Sequence, residues 1–130
     1  MALNVTVAAG ESQSYRIKLT GSLDTETVPE FNKAIDSALA DQSARCLRIE
    51  MEDLQFISSL GLGSLARARK AIESRGGLLV TIGAQPQILK VFEIVKMLPN
   101  EVVFANRQEA DEYLAMIQKR ALAEKTAKPK

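Results

Sequence analysis

The sequence predicts an α/β fold: one domain with a mixed, mostly parallel sheet of about five strands and about four helices mainly on one face. Three observations predict this fold. The length of 130 residues, with 46% hydrophobic and 25% charged side chains, suits a single core. Apolar residues recur with period two in some segments and at helical spacing in others, in the order ββαβαβαβα. Such alternation implies parallel strands joined by right-handed crossovers.

The chain begins with a predicted β-hairpin. Val5 and Val7 alternate with other residues, and Ile17 and Leu19 alternate with polar ones, around a turn at residues 10–13. This period is typical of strands that have one face in water. Because a later strand alternates in the same way, we expect the helices to cover one face of the sheet and to leave the other largely open.

The first helix is predicted to begin at Thr27. Threonine is a common N-cap residue, Pro29 falls in the first turn, and Glu30 follows Thr27 by three positions. Together these residues predict a capping box. The buried face of the helix is predicted from four apolar residues at helical spacing: Val28, Phe31, Ile35 and Leu39.

The rest of the chain alternates strand and helix. The segment RCLRIEM, residues 45–51, predicts the third strand, and a helix from about Ser59 to Ser74 follows it. Gly76 and Gly77 end that helix in the usual C-terminal manner. The remaining predicted elements are a strand at 78–82, a helix at 86–98 that Pro99 and Asn100 close, a brief strand at 102–105 and a last helix at 107–120.

The predicted domain spans residues 1–118, and a basic tail at 119–130 loses periodicity and is expected to be disordered. No apolar run is long enough to cross a bilayer, and the N-terminal residues lack the pattern of a signal peptide. The lone Cys46 allows no intramolecular disulfide, which agrees with a reducing compartment. We therefore expect a cytoplasmic protein that does not insert into membranes.

The composition excludes several classes of function. The chain has no histidine and one cysteine, so a Ser-His-Asp triad and an ordinary zinc site cannot be built. A net charge of +1 gives no field that would attract nucleic acid. We therefore expect no catalytic residues, no metal, no cofactor and no nucleic-acid partner.

The segment DLQFISSLGLGS, residues 53–64, contains the most informative residues of the chain. A serine nucleophile at a strand-to-helix elbow requires the pattern G-x-S-x-G, and around Ser59 only Gly61 fits. A dinucleotide cradle is suggested by Gly61, Gly63 and Ala66, but the carboxylate expected about 20 residues later is missing. The two glycines are explained more simply if they let the start of the helix pack closely against the sheet.

Two further roles for the adjacent serines Ser58 and Ser59 are mutually compatible. A serine between a strand and a helix commonly caps the helix by accepting a backbone N–H. A serine at a helix N-terminus can also carry a phosphate, because the helix dipole favours the added charge of about −1.5 to −2. We expect this charge to lie close to Glu52 and Asp53 and to exclude a partner that docks on the serines.

On these residues the chain resembles the STAS domain, and more narrowly the bacterial anti-sigma-factor antagonists. The resemblance covers about residues 3–118: the order of elements, the LTGSLD turn, the helix that Thr27 opens, and EDLQFISSLGLGSL. In the family the last stretch typically reads D-L-x-x-[IV]-D-S-S-G-L, with the phosphorylated serine directly after the acidic residue. This pattern places Asp53 and Leu54 on D-L, Ser58 on the acidic position, Ser59 on the phosphoacceptor and Gly61 on the glycine.

Two positions depart from the family pattern. Ser58 stands in place of the aspartate, and Leu60 stands in place of the second hydroxyl residue. Ser58 is therefore the alternative phosphoacceptor. The resemblance also implies a partner-binding surface that consists of Asp24, Asp53, Ser58, Ser59, Leu60, Gly61 and Leu62.

The resemblance implies a regulatory binding protein without catalytic activity, present as a monomer or weak dimer. Its unphosphorylated form would bind an anti-sigma factor that is itself a serine kinase and so release a sigma factor. Phosphorylation at Ser59 would block binding, and a PP2C-type phosphatase would restore it. The alternative is a constitutive STAS interaction module in a stressosome-like scaffold, another partner-switching system or a lipid-transport assembly. A third hypothesis is a nucleotide-binding or other small-ligand protein that uses the turn at Gly61 and Gly63.

Overall fold

The structure, a computed structural model, describes residues 3–10, 13–97, 112, 113, 115, 116 and 118–123. Its elements are β1 (Leu3–Ala9), β2 (Ser14–Leu23), α1 (Val28–Leu39), β3 (Cys46–Ile57), α2 (Ser59–Glu73), β4 (Leu78–Ile82) and α3 (Pro86–Met97). The described residues between 112 and 123 are helical as well and are called the α4 segment.

The described strands form one mixed sheet in the order β1-β2-β3-β4. β1 pairs with β2 in antiparallel fashion, whereas β2–β3 and β3–β4 are parallel pairs. The hairpin turn is closed by a hydrogen bond of 2.8 Å from the Gly10 N–H to the Ser14 carbonyl. The predicted mixed, mostly parallel sheet and the hairpin are confirmed. The strand predicted at 102–105 lies outside the described residues, as do Pro99 and Asn100 and residues 124–130 of the predicted tail. Residues 119–123, which were predicted to belong to that tail, are helical.

The helices cover one face of the sheet, as predicted. Ile17 of β2 and Ile49 of β3 are buried, while Arg16, Lys18 and Arg48 on the opposite face are exposed. This alternation places the core on one side of the strands. Each of the three bounded helices contributes its apolar side to the same cluster, which includes Phe31 from α1, Ile72 from α2 and Ile88 from α3.

The start of α1 differs from the prediction. Thr27 occupies the N-cap position, but its hydroxyl makes no cap bond to the helix, so the predicted capping box is wrong. The hydroxyl instead donates to the Ser22 carbonyl at 2.8 Å and accepts from the Asp24 N–H at 2.8 Å. Asp24 Oδ1 accepts from the N–H groups of Glu26 (3.0 Å) and Thr27 (3.1 Å). The preceding turn therefore uses the hydroxyl that the helix would otherwise have used.

β3 is longer than predicted. It runs to Ile57 rather than to residue 51. Its register with β2 shifts twice, first between the pairs Lys18–Glu50 and Thr20–Asp53 and again between Gly21–Leu54 and Ser22–Phe56. Each shift inserts one extra residue into β3, as in a β-bulge. Because these bulges interrupt the alternation of apolar and polar residues, the second half of the strand was not recognisable from periodicity.

The end of α2 is confirmed. Gly76 has a positive φ of 77°, and the Gly77 N–H donates to the Ile72 carbonyl at 2.9 Å. These are the features of a Schellman motif. A side chain on Gly77 would also collide with the carbonyl oxygen of Arg45, so both glycines are required where the chain turns into β4.

Candidate functional site

The candidate site lies where the carboxyl ends of β2 and β3 meet. The Ser58 N–H donates to the Leu23 carbonyl at 2.8 Å, directly after the parallel pair Leu23–Ile57. This bond joins the turn after β2, which contains Asp24, to the junction between β3 and α2. Carboxyl ends of parallel strands are common positions for binding sites in α/β proteins.

Ser58 is the N-cap of α2. Its backbone is extended (φ −93°, ψ 173°), and its Oγ accepts a hydrogen bond of 3.1 Å from the Gly61 N–H. The Ser58 carbonyl accepts from the Leu62 N–H at 2.9 Å, which forms the first helical bond. The residue is only 2% exposed. The cap hypothesis is therefore confirmed for Ser58, and its hydroxyl is committed to the start of the helix.

Ser59 is the first residue of α2 and has a different environment. The residue is half-buried, and its hydroxyl oxygen is almost completely covered in this conformation. It stands at the N-terminus of a helix of 15 residues whose first turn contains no acidic side chain. The dipole of such a helix favours negative charge at this end.

Gly61 and Gly63 have different functions in the fold. A Cβ on Gly61 would lie 2.9 Å from Leu23 Cγ and 3.0 Å from Ile57 Cγ1, so the helix start packs closely against the strand ends. A Cβ on Gly63 would have nothing within 4 Å. The prediction that close packing explains both glycines is correct for Gly61 and wrong for Gly63.

The other predicted site residues divide into two groups. Leu60 and Leu62 are partly buried and pack against the core next to the serines. Asp53 lies on the open face of the sheet, where its Oδ2 is 3.7 Å from Lys18 Nζ. Asp53 precedes Ser58 by five positions, which corresponds to about 16 Å along an ideal extended strand. A phosphate on either serine would therefore not lie close to Asp53, and that expectation is wrong.

Three glutamine side chains support the site and were missed in the sequence. β4 pairs with β3 only as far as the pair Glu50–Ile82, so the backbone edge beyond Glu50 has no described strand beside it. Glutamine side chains take the place of that strand. Gln85 Nε2 donates to the Glu52 carbonyl (2.7 Å), Gln87 Nε2 donates to the Gln55 carbonyl (3.1 Å), and Gln118 binds both backbone groups of Ile57.

These glutamines give no signal in the sequence. Glutamine is usually exposed in helices and is compatible with almost any solvent-facing position. Gln87 and Gln118 are buried here, at 1% and 3% exposure. Their partners are 32 and 61 residues away along the chain. The contacts become visible only when the three-dimensional arrangement is known.

An apolar cavity of about 310 Å³ lies between α2, β4 and α3. Its polar lining side chains are Arg69 and Thr81, and neither Gly61 nor Gly63 borders it. Among the described residues no group of three or more histidine, cysteine, aspartate or glutamate side chains could hold a metal ion. No helix in the described part of the chain is long and apolar enough to span a membrane.

Comparison with known proteins identifies the family. The STAS domain model matches residues 8–110, so the chain belongs to the STAS domain family. A similar curated protein is the anti-sigma-B factor antagonist of Staphylococcus aureus, which is 28% identical over 94 residues covering 72% of this chain and 85% of that protein.

Solved structures share the fold. The anti-sigma factor antagonist SpoIIAA in its unphosphorylated form gives a TM-score of 0.61 at 20% identity and covers 86% of this chain and 98% of its own. The phosphorylated form of the Bacillus cell fate determinant SpoIIAA gives 0.62 at 22% identity, with coverage of 85% and 99%. At this level of identity the comparison establishes a common architecture.

Proposed function

We propose that this protein is an anti-sigma-factor antagonist that phosphorylation of Ser59 controls. The unphosphorylated form binds an anti-sigma factor that is also a serine kinase, and this binding releases a sigma factor. The kinase phosphorylates Ser59, the phosphate blocks binding, and a PP2C-type phosphatase removes it. The protein acts in the cytoplasm by binding alone. The antagonist names of its relatives and the phosphorylated form of a structural neighbour support this proposal.

We choose Ser59 rather than Ser58 as the phosphoacceptor because the two serines have different environments. The Ser58 hydroxyl is buried and accepts the Gly61 N–H, so a phosphate there would remove the cap and place a dianion in the protein interior. Ser59 lies one residue further along, at the N-terminal end of α2, where the helix dipole favours negative charge. Because its oxygen is covered in this conformation, the side chain must rotate about χ1 before a kinase reaches it.

A phosphate at Ser59 would act by excluding the partner. It adds about 1.5 to 2 negative charges at the helix end where the dipole favours them, so the fold tolerates the modification. A partner that covers the surface around Leu60 and Leu62 would have to dehydrate this group, which costs several kcal/mol when no opposite charge is supplied. Asp24 shapes the neighbouring turn through its bonds to Glu26 and Thr27.

The proposal is tested by binding of three variants to the purified anti-sigma kinase, measured by isothermal titration calorimetry. We expect Ser59→Ala to retain the wild-type dissociation constant within about threefold and Ser59→Asp to raise it at least about tenfold, roughly 1.4 kcal/mol. Ser37→Asp adds the same charge at an exposed position of α1 and serves as the matched control. Equal affinities of Ser59→Ala and Ser59→Asp would contradict the exclusion mechanism.

The covered oxygen of Ser59 also favours a second candidate, a constitutive STAS interaction module in a scaffold, another partner-switching system or a lipid-transport assembly. In that case the serine would stay unmodified in the cell. Mass spectrometry of the protein isolated from its host distinguishes the two. Unmodified Ser59 under all growth conditions, together with capture of a scaffold or transporter rather than a kinase, would favour the second candidate.

A further inference from the structure

The residue just before the two serines is held by a single side chain from a distant part of the chain. Gln118 Oε1 accepts from the Ile57 N–H at 3.0 Å, and Gln118 Nε2 donates to the Ile57 carbonyl at 3.0 Å. Gln118 is 3% exposed, and its neighbour Ala121 in the α4 segment is 8% exposed. The α4 segment is therefore docked against the end of β3.

The chemistry of glutamine explains why it can occupy this position. Its side-chain amide carries one acceptor oxygen and two donor hydrogens, so it can pair with a peptide as a neighbouring strand would. Buried backbone N–H and C=O groups need such partners. Beyond Glu50 the edge of β3 has no partner from β4, and Gln118 supplies both bonds at Ile57.

The constraint on Ile57 extends to the start of α2. The next residue, Ser58, donates its N–H in the other direction, to the Leu23 carbonyl at 2.8 Å. Residues 57 and 58 are thus held between β2 on one side and the α4 segment on the other. Ser58 in turn accepts the N–H groups of Gly61 and Leu62, which form the first turn of α2. A displacement of Ile57 would displace this turn and Ser59 with it.

We propose that Gln118 is a positioning residue of the switch, because it fixes the backbone on which the kinase and phosphatase must recognise Ser59. This inference rests on the proposed function of Ser59. When Gln118 is undocked, only a fraction of the molecules presents the serine in the geometry that the partner recognises. The apparent affinity then falls to that fraction of its value in the docked protein, while the rate within the correctly formed complex is unchanged.

The test compares two variants with the same chemical change. Gln118→Met and Gln87→Met each replace a buried amide by an apolar side chain of similar length, and each removes hydrogen bonds to the edge of β3. Gln87 contacts Gln55, two residues before Ile57, and is the matched control. We expect Gln118→Met to raise the kinase KM about tenfold with kcat unchanged, since an unsatisfied buried group has a cost of this size. We expect Gln87→Met to change KM less than about twofold.

Measurements are made well below the melting temperature of each variant, because both substitutions are expected to lower it. A purely structural role of Gln118 would lower the melting temperature of both variants and leave both KM values equal. Equal KM values for the two variants, whether raised or not, would overturn the inference. So would a lower kcat with unchanged KM in Gln118→Met.

A measurement on the wild-type chain tests the same constraint without a kinase, and also applies if Gln118→Met does not fold. In native-state hydrogen exchange at low denaturant, the N–H groups of Ser58 and Leu62 should open together with those of residues 118–123. They should open at a lower free energy than the core residue Ile49. Exchange of Ser58 and Leu62 only through global unfolding would contradict the constraint.

The two proposals fail in different ways. If the wild-type protein neither binds the kinase nor carries a phosphate, the proposed function fails, while the exchange experiment still tests the contact of Gln118 with the serine junction. If the wild-type protein is phosphorylated on Ser59 and the two methionine variants behave alike, the function stands and the positioning role of Gln118 is wrong.

Discussion

The first turn of α2 has a buried side and an exposed side that differ in what they contribute. Ser58 and Gly61 on the buried side are used by the fold, one as helix cap and one as the point of closest packing. Ser59 and Gly63 are more accessible, and the space around Gly63 is open. Identical residues one or two positions apart therefore have different roles. The fold uses Ser58 and Gly61, and we propose that Ser59 and Gly63 take part in recognition.

Among the substitutions considered, Gly61→Val is expected to lower the free energy of unfolding the most. Its Cβ would lie about 3.0 Å from Leu23 and Ile57, and its two methyl groups would add further crowding. Overpacking of this kind typically costs about 1–3 kcal/mol, and a rigid helix start places this site at the upper end. Urea unfolding of Gly61→Val should show the loss. Unchanged stability would mean that α2 does not pack closely against the strand ends.

Replacing the cap is expected to have a smaller effect. Ser58→Ala removes the acceptor for the Gly61 N–H and should lower the free energy of unfolding by about 1 kcal/mol. Ser59→Ala is the matched control and should change stability by less than about 0.5 kcal/mol. Thermal and urea unfolding of both variants measure the difference. A larger loss for Ser59→Ala than for Ser58→Ala would reverse the structural assignment of the two serines.

The smallest expected change in the free energy of unfolding is an increase, for Gly63→Ala. Gly63→Ala should raise the free energy of unfolding by about 0.5–1 kcal/mol, because alanine is the better helix former and its Cβ meets nothing within 4 Å. If a partner lies against this turn, the same methyl group should weaken binding. Urea unfolding and calorimetric titration with the kinase give the two values. A destabilised Gly63→Ala would show that this side of the turn is not open.

Features that depend on local residues were predictable from the sequence. The hairpin, the start and end of α2, the start of α3 and the one-sided sheet follow from periodicity and from breakers such as Gly76. Capping and phosphorylation could also be favoured for the serines, since the chain has no histidine for a catalytic triad and lacks the carboxylate expected after a dinucleotide cradle. The structure then assigned the cap to Ser58.

Two kinds of feature were not predictable: those in which two local motifs compete for the same side chain, and those that depend on contacts between distant residues. Thr27 could have capped α1, but Asp24 was close enough to form the turn that uses its hydroxyl. The bulge that brings Asp53 onto the open face was hidden because nothing in the local pattern marks it. Gln118 reaches Ile57 across 61 residues, and no motif connects them.

The central claim is that Ser59 rather than Ser58 accepts the phosphate. Phosphosite mapping by mass spectrometry after incubation with the anti-sigma kinase and ATP tests it most directly, in the wild type and in Ser58→Ala and Ser59→Ala. The account predicts phosphate on Ser59 in the wild type and in Ser58→Ala, and none in Ser59→Ala. Phosphate on Ser58, or on neither serine in the wild type, would contradict it.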